Sequence, residues 1–361
     1  MSSVANVGQA AWDAMAAGAP LQQSYGYLRT VEVVPGAATE YLVVTDGAGR
    51  ALAALPTYLP AALDVLPGLA ADWPMGHTAP AAQWRDALLA GVGHGYRSTL
   101  IVHPALTVAE RSAALRLLHR AAHDRRREIG ASALLYRHVI DEALPDMRDA
   151  APDLTPVVES AEAYLPVPGP AWSDYLAACP YRRRLNIRRE QAAFEASKLT
   201  LERGRLGDHW RRLAGLSAQV FQRYGAVGAE GKRLTRYRRM VEHWSPDLTV
   251  LLLRDTSGIV GFSSLVPWDG DLYVLDYGLD YDRAGAHAEY FQLVYYEPLR
   301  IAAAAGLQRV QLGKSALQAK RLRGAVVTPL WTLFADDTPP TAAEIDLWNA
   351  EQWQHLGLGD R

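Results

Sequence analysis

The chain has 361 residues, 49% of them hydrophobic and 21% charged, with a formal net charge of -2. That balance suits two folded domains and excludes both a disordered chain and a generally basic nucleic-acid binder, though not a local basic patch. One cysteine, Cys179, excludes an internal disulfide and a cysteine-rich zinc site and suits a reducing cytoplasm, while no apolar run reaches the roughly 20 residues needed to cross a bilayer.

The N-terminal residues lack the basic start and apolar core of a signal peptide. In the first third, "EYLVVTD" (40–46) and "ALAALPTYL" (51–59) read as strands paired through the glycine turn "GAGR". "YRSTLIVHP" (96–104) reads as a further strand, followed by a helix over 107–130 with Thr107 as N-cap and Gly130 at its end. "ASALLYRHV" (131–139) is the next strand. Strand, strand, helix, strand makes an α/β or α+β unit.

The proline-rich segment 149–172 reads as the crossing between domains, giving an N-terminal domain of 1–155 and a C-terminal domain of 156–361. A helix interrupted near Pro180 spans 173–197, and two more span 208–224 and 231–244. Then "DLTVLLLRD" (247–255), "IVGFSSLVPWDG" (259–270) and "DLYVLDYGLD" (271–280) form an antiparallel three-stranded meander. A helix over 288–306 with a bend at Pro298, a strand over 307–312, a basic helix and a last strand over 326–335 complete the pattern. The halves share one plan, which predicts two copies of one fold, each a mixed, largely antiparallel sheet flanked by helices.

That order of elements is the order of the Gcn5-related N-acetyltransferase (GNAT) fold. The wording of "YYEPLRIAAAAGLQRVQLGKSALQAKRLRGAVVTPLW", "YLAACPYRRRLNIRRE", "YLVVTDGAGRALAALPTYL" and "RSTLIVHPALTVAERSAALRLL" resembles the Fem-like, double-GNAT acyl- and aminoacyltransferases. The resemblance runs from about residue 24 to residue 334, through degenerate patterns that mark a superfamily more than a substrate. It implies an enzyme that joins an activated carboxylic acid to an amine. Acyl-CoA users of the superfamily carry Arg/Gln-x-x-Gly-x-Gly/Ala ahead of the helix, where backbone N–H groups hold the pyrophosphate. Here the loop is "RAGAHA" (283–288), with Ala286 where glycine belongs and Gly285 one place early, which narrows the approach of a phosphate. The donor that the resemblance then implies is aminoacyl-tRNA, with acyl-CoA as the alternative. No tightly bound cofactor and no metal are expected. The acceptor would be a small-molecule or peptide amine in cell-wall or natural-product (antibiotic) assembly, and a non-catalytic binding module with the same fold is the rival from another class.

An RNA donor needs cations for its phosphates. "RRRLNIRR" supplies Arg182, Arg183, Arg184, Arg188 and Arg189, whose competing reading is a solvated helix face paired with Glu190 and nearby acids. "DRRRE" (124–128) reads as a solvated helix end. The chain holds only four lysines, and two of them, Lys314 and Lys320, follow a strand end, where α/β folds place sites. Lys320 and Arg323 also match the "A-K-x-x-R-G" part of the resemblance. Tyr295, Tyr296 and Glu297 are candidates for holding the substrate, although a helical tyrosine stripe equally describes a core. Asp276 interrupts an apolar strand, so it is a candidate base or substrate ligand, with Tyr277 beside it. His287, at a helix start that disfavours its charged form, is a third catalytic candidate. Cys179 has no partner histidine in view, and no Walker loop, His-Glu-x-x-His pair or Gly-x-Ser-x-Gly elbow occurs.

Overall fold

A computed structural model of the chain describes residues 1–32, 39–58, 87–93, 95–336 and 340–358. Residue 59, the last of the strand expected over 51–59, lies outside them. The first elements are α1 (Gln9–Met15), α2 (Tyr25–Val31), β1 (Thr39–Thr45), β2 (Ala51–Tyr58), β3 (Leu88–Gly91), β4 (Ile101–Val102), α3 (Val108–Glu128), β5 (Ala133–Ile140), α4 (Leu144–Ala150) and β6 (Thr155–Pro166). Then come α5 (Trp172–Ala178), α6 (Tyr181–Ala196), β7 (Thr200–Arg205), α7 (Leu206–Arg223), α8 (Ala229–Arg239), β8 (Thr249–Asp255), β9 (Gly258–Trp268) and β10 (Asp271–Leu279). A π-helical stretch, Gln292–Tyr296, leads into α9 (Glu297–Ala304), and β11 (Arg309–Gly313), α10 (Leu317–Arg321), β12 (Val326–Asp336) and α11 (Ala342–His355) follow.

The chain divides into two compact units, Met1–Glu162 with Thr328–Arg361, and Ala163–Val327. The sequence pattern suggests one boundary after residue 155 and gives the whole tail to the second domain. The structure has the chain pass between units twice, inside β6 and again inside β12. The prolines of segment 149–172 disguise β6, yet Val157, Val158, Ala161, Ala163 and Leu165 are all buried. Proline at a strand's ends costs no ladder bond, so Pro156 and Pro166 fit there.

In the first unit the strands run β1-β2-β3-β5-β12-β6, with β4 paired to β2. β1 and β2 are antiparallel from Thr39↔Tyr58 to Thr45↔Ala51, and β3 and β5 are parallel from Leu88↔Leu134 to Gly91↔Arg137. Thr107 caps α3 as expected: its hydroxyl accepts from the Glu110 N–H while the Glu110 carboxylate accepts from the Thr107 N–H, 2.9 Å away. Buried charge is concentrated in the centre of this sheet. Glu159 of β6 pairs with Arg137 of β5 and accepts from the Thr332 hydroxyl of β12 at 2.7 Å, and Glu162 pairs with Arg97.

In the second unit the order is β11-β10-β9-β8-β7, with residues 163–166 of β6 antiparallel to the far edge of β11. The run "VLLL" of β8 is apolar throughout because both faces of this sheet are covered. Val250 and Leu252 pack with Leu213, Leu216 and Tyr237 of α7 and α8. Leu251 and Leu253 face the opposite cluster, with Ile187, Leu293, Tyr295 and Tyr296.

Removing the Glu159 carboxylate leaves the Arg137 charge buried without its partner. The E159A variant is expected to lose about 3–5 kcal/mol of stability, read as a lower urea midpoint at an unchanged slope. An unchanged midpoint would show that the ion pair contributes nothing net.

Candidate active site

β10 and β11 run parallel but pair only at Asp271↔Arg309, Leu272↔Val310 and Tyr273↔Gln311. A staple of side chains holds that end: the Asp271 carboxylate accepts from Gln311 Nε2 at 2.7 Å and from Arg309 Nε at 3.0 Å. Beyond Tyr273, β10 continues against β9 to Leu279, with a bulge between Val274 and Asp276. Bulges bend a strand and raise its local twist, and this one sits where the parallel pairing stops. The two strands therefore part, and the edge of β10 from Val274 onward faces the gap.

The segment after β10 builds one wall of that gap. It starts helically at Glu289–Phe291, widens to a π-helix over Gln292–Tyr296, and returns to α-helix at Glu297, with Pro298 in the first turn of α9. Pro298 has no N–H to donate to the fourth residue back, and the wider π turn accommodates the loss. The bend expected at Pro298 is thus a change of helix type just before it. As a result Tyr290, Phe291 and Tyr295 converge on Tyr277 of β10. The rings of Tyr277 and Tyr290 are 5.0 Å apart, those of Tyr290 and Tyr295 5.6 Å, and those of Tyr290 and Phe291 5.4 Å. Arg323, just past α10, lays its guanidinium 3.4 Å from the Phe291 ring centre. Glu190 of α6 accepts from that guanidinium at 2.8 Å and also from the Tyr296 hydroxyl. Burial raises the phenols of Tyr277, Tyr290, Tyr295 and Tyr296 above the ordinary tyrosine range. At neutral pH these are hydrogen-bond donors, not bases.

Among the residues singled out from sequence, Tyr277, Tyr295, Tyr296 and Arg323 come together here. Asp276 does not, because neighbours on a strand point to opposite faces. Its carboxylate faces α7 and α8, where it pairs with Arg233 and accepts from the Tyr237 hydroxyl at 2.8 Å and the Ser217 hydroxyl at 3.1 Å. Lys320 is buried, and its Nζ donates to the carbonyls of Leu312 and Gly313, each at 2.8 Å, tying α10 to the end of β11. Lys314 is half-buried at the turn after β11. Glu297 pairs with Arg300 at 3.3 Å. His287 is exposed in the loop, its backbone N–H donating to Glu289 at 2.7 Å. Arg283, the first residue of "RAGAHA", pairs with Asp255 and lies 3.8 Å from Asp280.

The arginine run of α6 divides in two. Arg183 donates to the carbonyls of Leu322 and Arg321, and Arg184 to that of Cys179 at 2.6 Å. Arg182, Arg188 and Arg189 are exposed. Sequence reasoning takes Glu190 as a counter-ion for its own helix, and only the fold brings Arg323 to it from 133 residues away.

No protein-family model matches the chain, and no curated protein matches it. Solved structures do. FemX aligns over 99% of this chain and 99% of its own at 12% identity, with a TM-score of 0.59. The fold is Fem-like. L-PGS from Bacillus licheniformis aligns over 100% of this chain and 98% of its own at 9% identity, with a TM-score of 0.55. The C-terminal domain of a putative lysylphosphatidylglycerol synthetase from Agrobacterium fabrum covers 96% of each at 12% identity, again at 0.55. The expected fold class, a mixed α/β fold whose largely antiparallel sheet is flanked by helices, is the one observed. No helix among the described residues is long and apolar enough to cross a membrane.

Two measurements test this geometry. The D276N variant leaves Arg233 without its counter-charge and is expected to lower stability by about 2–4 kcal/mol, less than a fully buried pair would, because both side chains keep some exposure. Equal urea midpoints for D276N and the parent would contradict the pairing. Burial also pushes the Tyr237 phenol up to about 12, above its unfolded value near 10. The folded state therefore holds a proton that the unfolded state releases. Stability from this group is full below pH 10 and declines as pH rises toward 12, which urea titrations from pH 8 to 11 would register.

Proposed function

We propose that this Fem-like protein transfers an aminoacyl group from aminoacyl-tRNA to the amine of a small-molecule or peptide acceptor. The observation that carries the reading is the parting of β10 and β11 beside a cluster of protonated tyrosines and Arg323. An ester carbonyl entering that gap meets the side of β10 that β11 leaves unpaired, with phenol donors beside it. The acceptor amine attacks the carbonyl carbon, a C–N bond forms, the C–O bond to the ribose breaks, and the ribose oxygen takes up the proton that the amine gives up. Such a reaction asks the protein for juxtaposition and for donors at the oxyanion. Tyr277 and Tyr290 are the donors in this reading. Glu190 and Tyr296 fix the Arg323 guanidinium, which lends positive charge to the same wall.

The choice of donor is supported by two features. The arginine that would open an acyl-CoA phosphate loop is taken by Asp255. Arg182, Arg188 and Arg189 stand exposed on α6 and make no ion pair among the described residues, as cations that meet an RNA backbone would. The acceptor reading, an amine in cell-wall or natural-product assembly, rests on the resemblance alone.

The test uses purified protein, total tRNA charged with radiolabelled amino acids, and a panel of amines and peptides. Label passing into an amide, with at least a tenfold loss of rate in Y277F at unchanged melting temperature, and in R323A beyond what its lowered stability accounts for, is the expected result. Binding of charged tRNA should weaken with salt. The combined R182A/R188A/R189A variant should flatten the slope of log affinity against log salt by up to about 2, at roughly 0.7 for each single-strand phosphate that is no longer neutralised. Thermal stabilisation by acetyl-CoA together with indifference to charged tRNA would replace this donor with acyl-CoA.

A further inference from the structure

A second cluster of chemically able side chains lies in the first unit, outside everything assigned above. His119 and His123 sit one turn apart on α3, so both imidazoles project from the same side of the helix. Asp153, in the turn between α4 and β6, stands against them. Its Oδ1 is 2.8 Å from His119 Nε2, and its Oδ2 is 3.0 Å from His123 Nε2. The two rings are 4.5 Å apart between centres, and one donor atom from each of the three residues lies within 4.8 Å of the others.

We propose that His119, His123 and Asp153 form a binding site for a divalent transition cation, with Zn2+ as the best match. Two imidazoles and one carboxylate are a zinc-type donor set, and imidazole favours zinc, copper, nickel or iron over magnesium or calcium. Ligand atoms about 2.1 Å from a tetrahedral metal stand roughly 3.4 Å apart. The 2.8 and 3.0 Å separations between the Asp153 oxygens and the ring nitrogens therefore need to widen by only a few tenths of an ångström. Asp153 is half-exposed and free to make that adjustment.

The surroundings match a metal ligand's needs. The other nitrogen of His119, Nδ1, is 3.0 Å from the hydroxyl of Tyr136, a buried residue of β5. An Nδ1–H donated to that oxygen leaves Nε2 as a lone pair aimed at the cation. Metal-bound histidines are commonly oriented by such a hydrogen bond. His123 and Asp153 line a cavity of about 400 Å3 together with Arg126, Arg127, Thr155 and Asp336. That cavity gives the fourth coordination position access to water. Arg127 is paired to Asp124 at 2.5 Å and Arg126 donates to the Ala131 carbonyl at 3.2 Å, so neither guanidinium points its charge only at the site. Asp336 adds a carboxylate to the wall.

The experiment uses untagged full-length protein, stripped with chelator and titrated with Co2+ and then Zn2+ near pH 7.5. Expected are one equivalent of Co2+ with the visible d–d bands of a tetrahedral site, their loss when Zn2+ displaces it, and a higher melting temperature with either ion. H123Q, at the half-buried ligand, should fold normally and bind at least tenfold more weakly. Y136F should weaken binding by about 10–100-fold through the orientation of His119. Absence of Co2+ bands and of Zn2+ uptake in the folded parent protein overturns the site. So does an affinity that H123Q leaves unchanged.

Discussion

Three residue pairs hold the parallel strands of the second unit together, and the site proposed in that unit depends on the fact that there are no more. Asp271, Arg309 and Gln311 close the pairing at one end with two side-chain hydrogen bonds in a buried setting. A buried carboxylate must have such partners or be neutralised, and once paired it fixes the register of β10 on β11. The bulge after Val274 then releases β10 toward β9 alone. Past that point β10 has a strand partner on one side only, and its Tyr277 N–H donates to the Asp276 carboxylate at 2.9 Å.

The same unit separates two kinds of chemistry by strand alternation. Tyr277 faces the aromatic wall, whereas Asp276 faces α7 and α8 and is held there by Arg233, Tyr237 and Ser217. The acid thus anchors two helices to the back of the strand whose front forms the cleft. Lys320 works in a comparable way, its ammonium capping the carbonyls at the end of β11 from the first turn past it. A lysine suits that place because a compact ammonium reaches two adjacent carbonyls, and its four-carbon stem fills apolar space. Two of the residues that drew attention as reactive groups are therefore supports for the site's framework.

Buried charge recurs in the first unit, where Arg97, Arg137, Glu159 and Glu162 pair within the sheet, and histidines cluster with Asp153 at one side of α3. Each unit thus carries polar groups in its interior that a purely structural core would not require. Burying ion pairs is at best weakly stabilising compared with apolar packing.

By itself the sequence determined the meander of β8 to β10, the capped helix α3 and the last strand, because periodicity and capping are local signals carried by adjacent residues. The aromatic stripe at 290–296 and the arginines of α6 were also visible there. What only the tertiary structure decided is which of these meet. Glu190 finds Arg323 across 133 positions, Tyr277 parts from Asp276 by pointing to the other face, and β6 emerges from a proline-rich stretch because its neighbours supply the ladder. His119 and His123 advertise themselves four residues apart, but Asp153 reaches them only through the packing of the turn before β6 on α3. Pairing over such distances leaves no trace in local pattern, since it depends on where the strands stop pairing and on which face each side chain leaves the sheet.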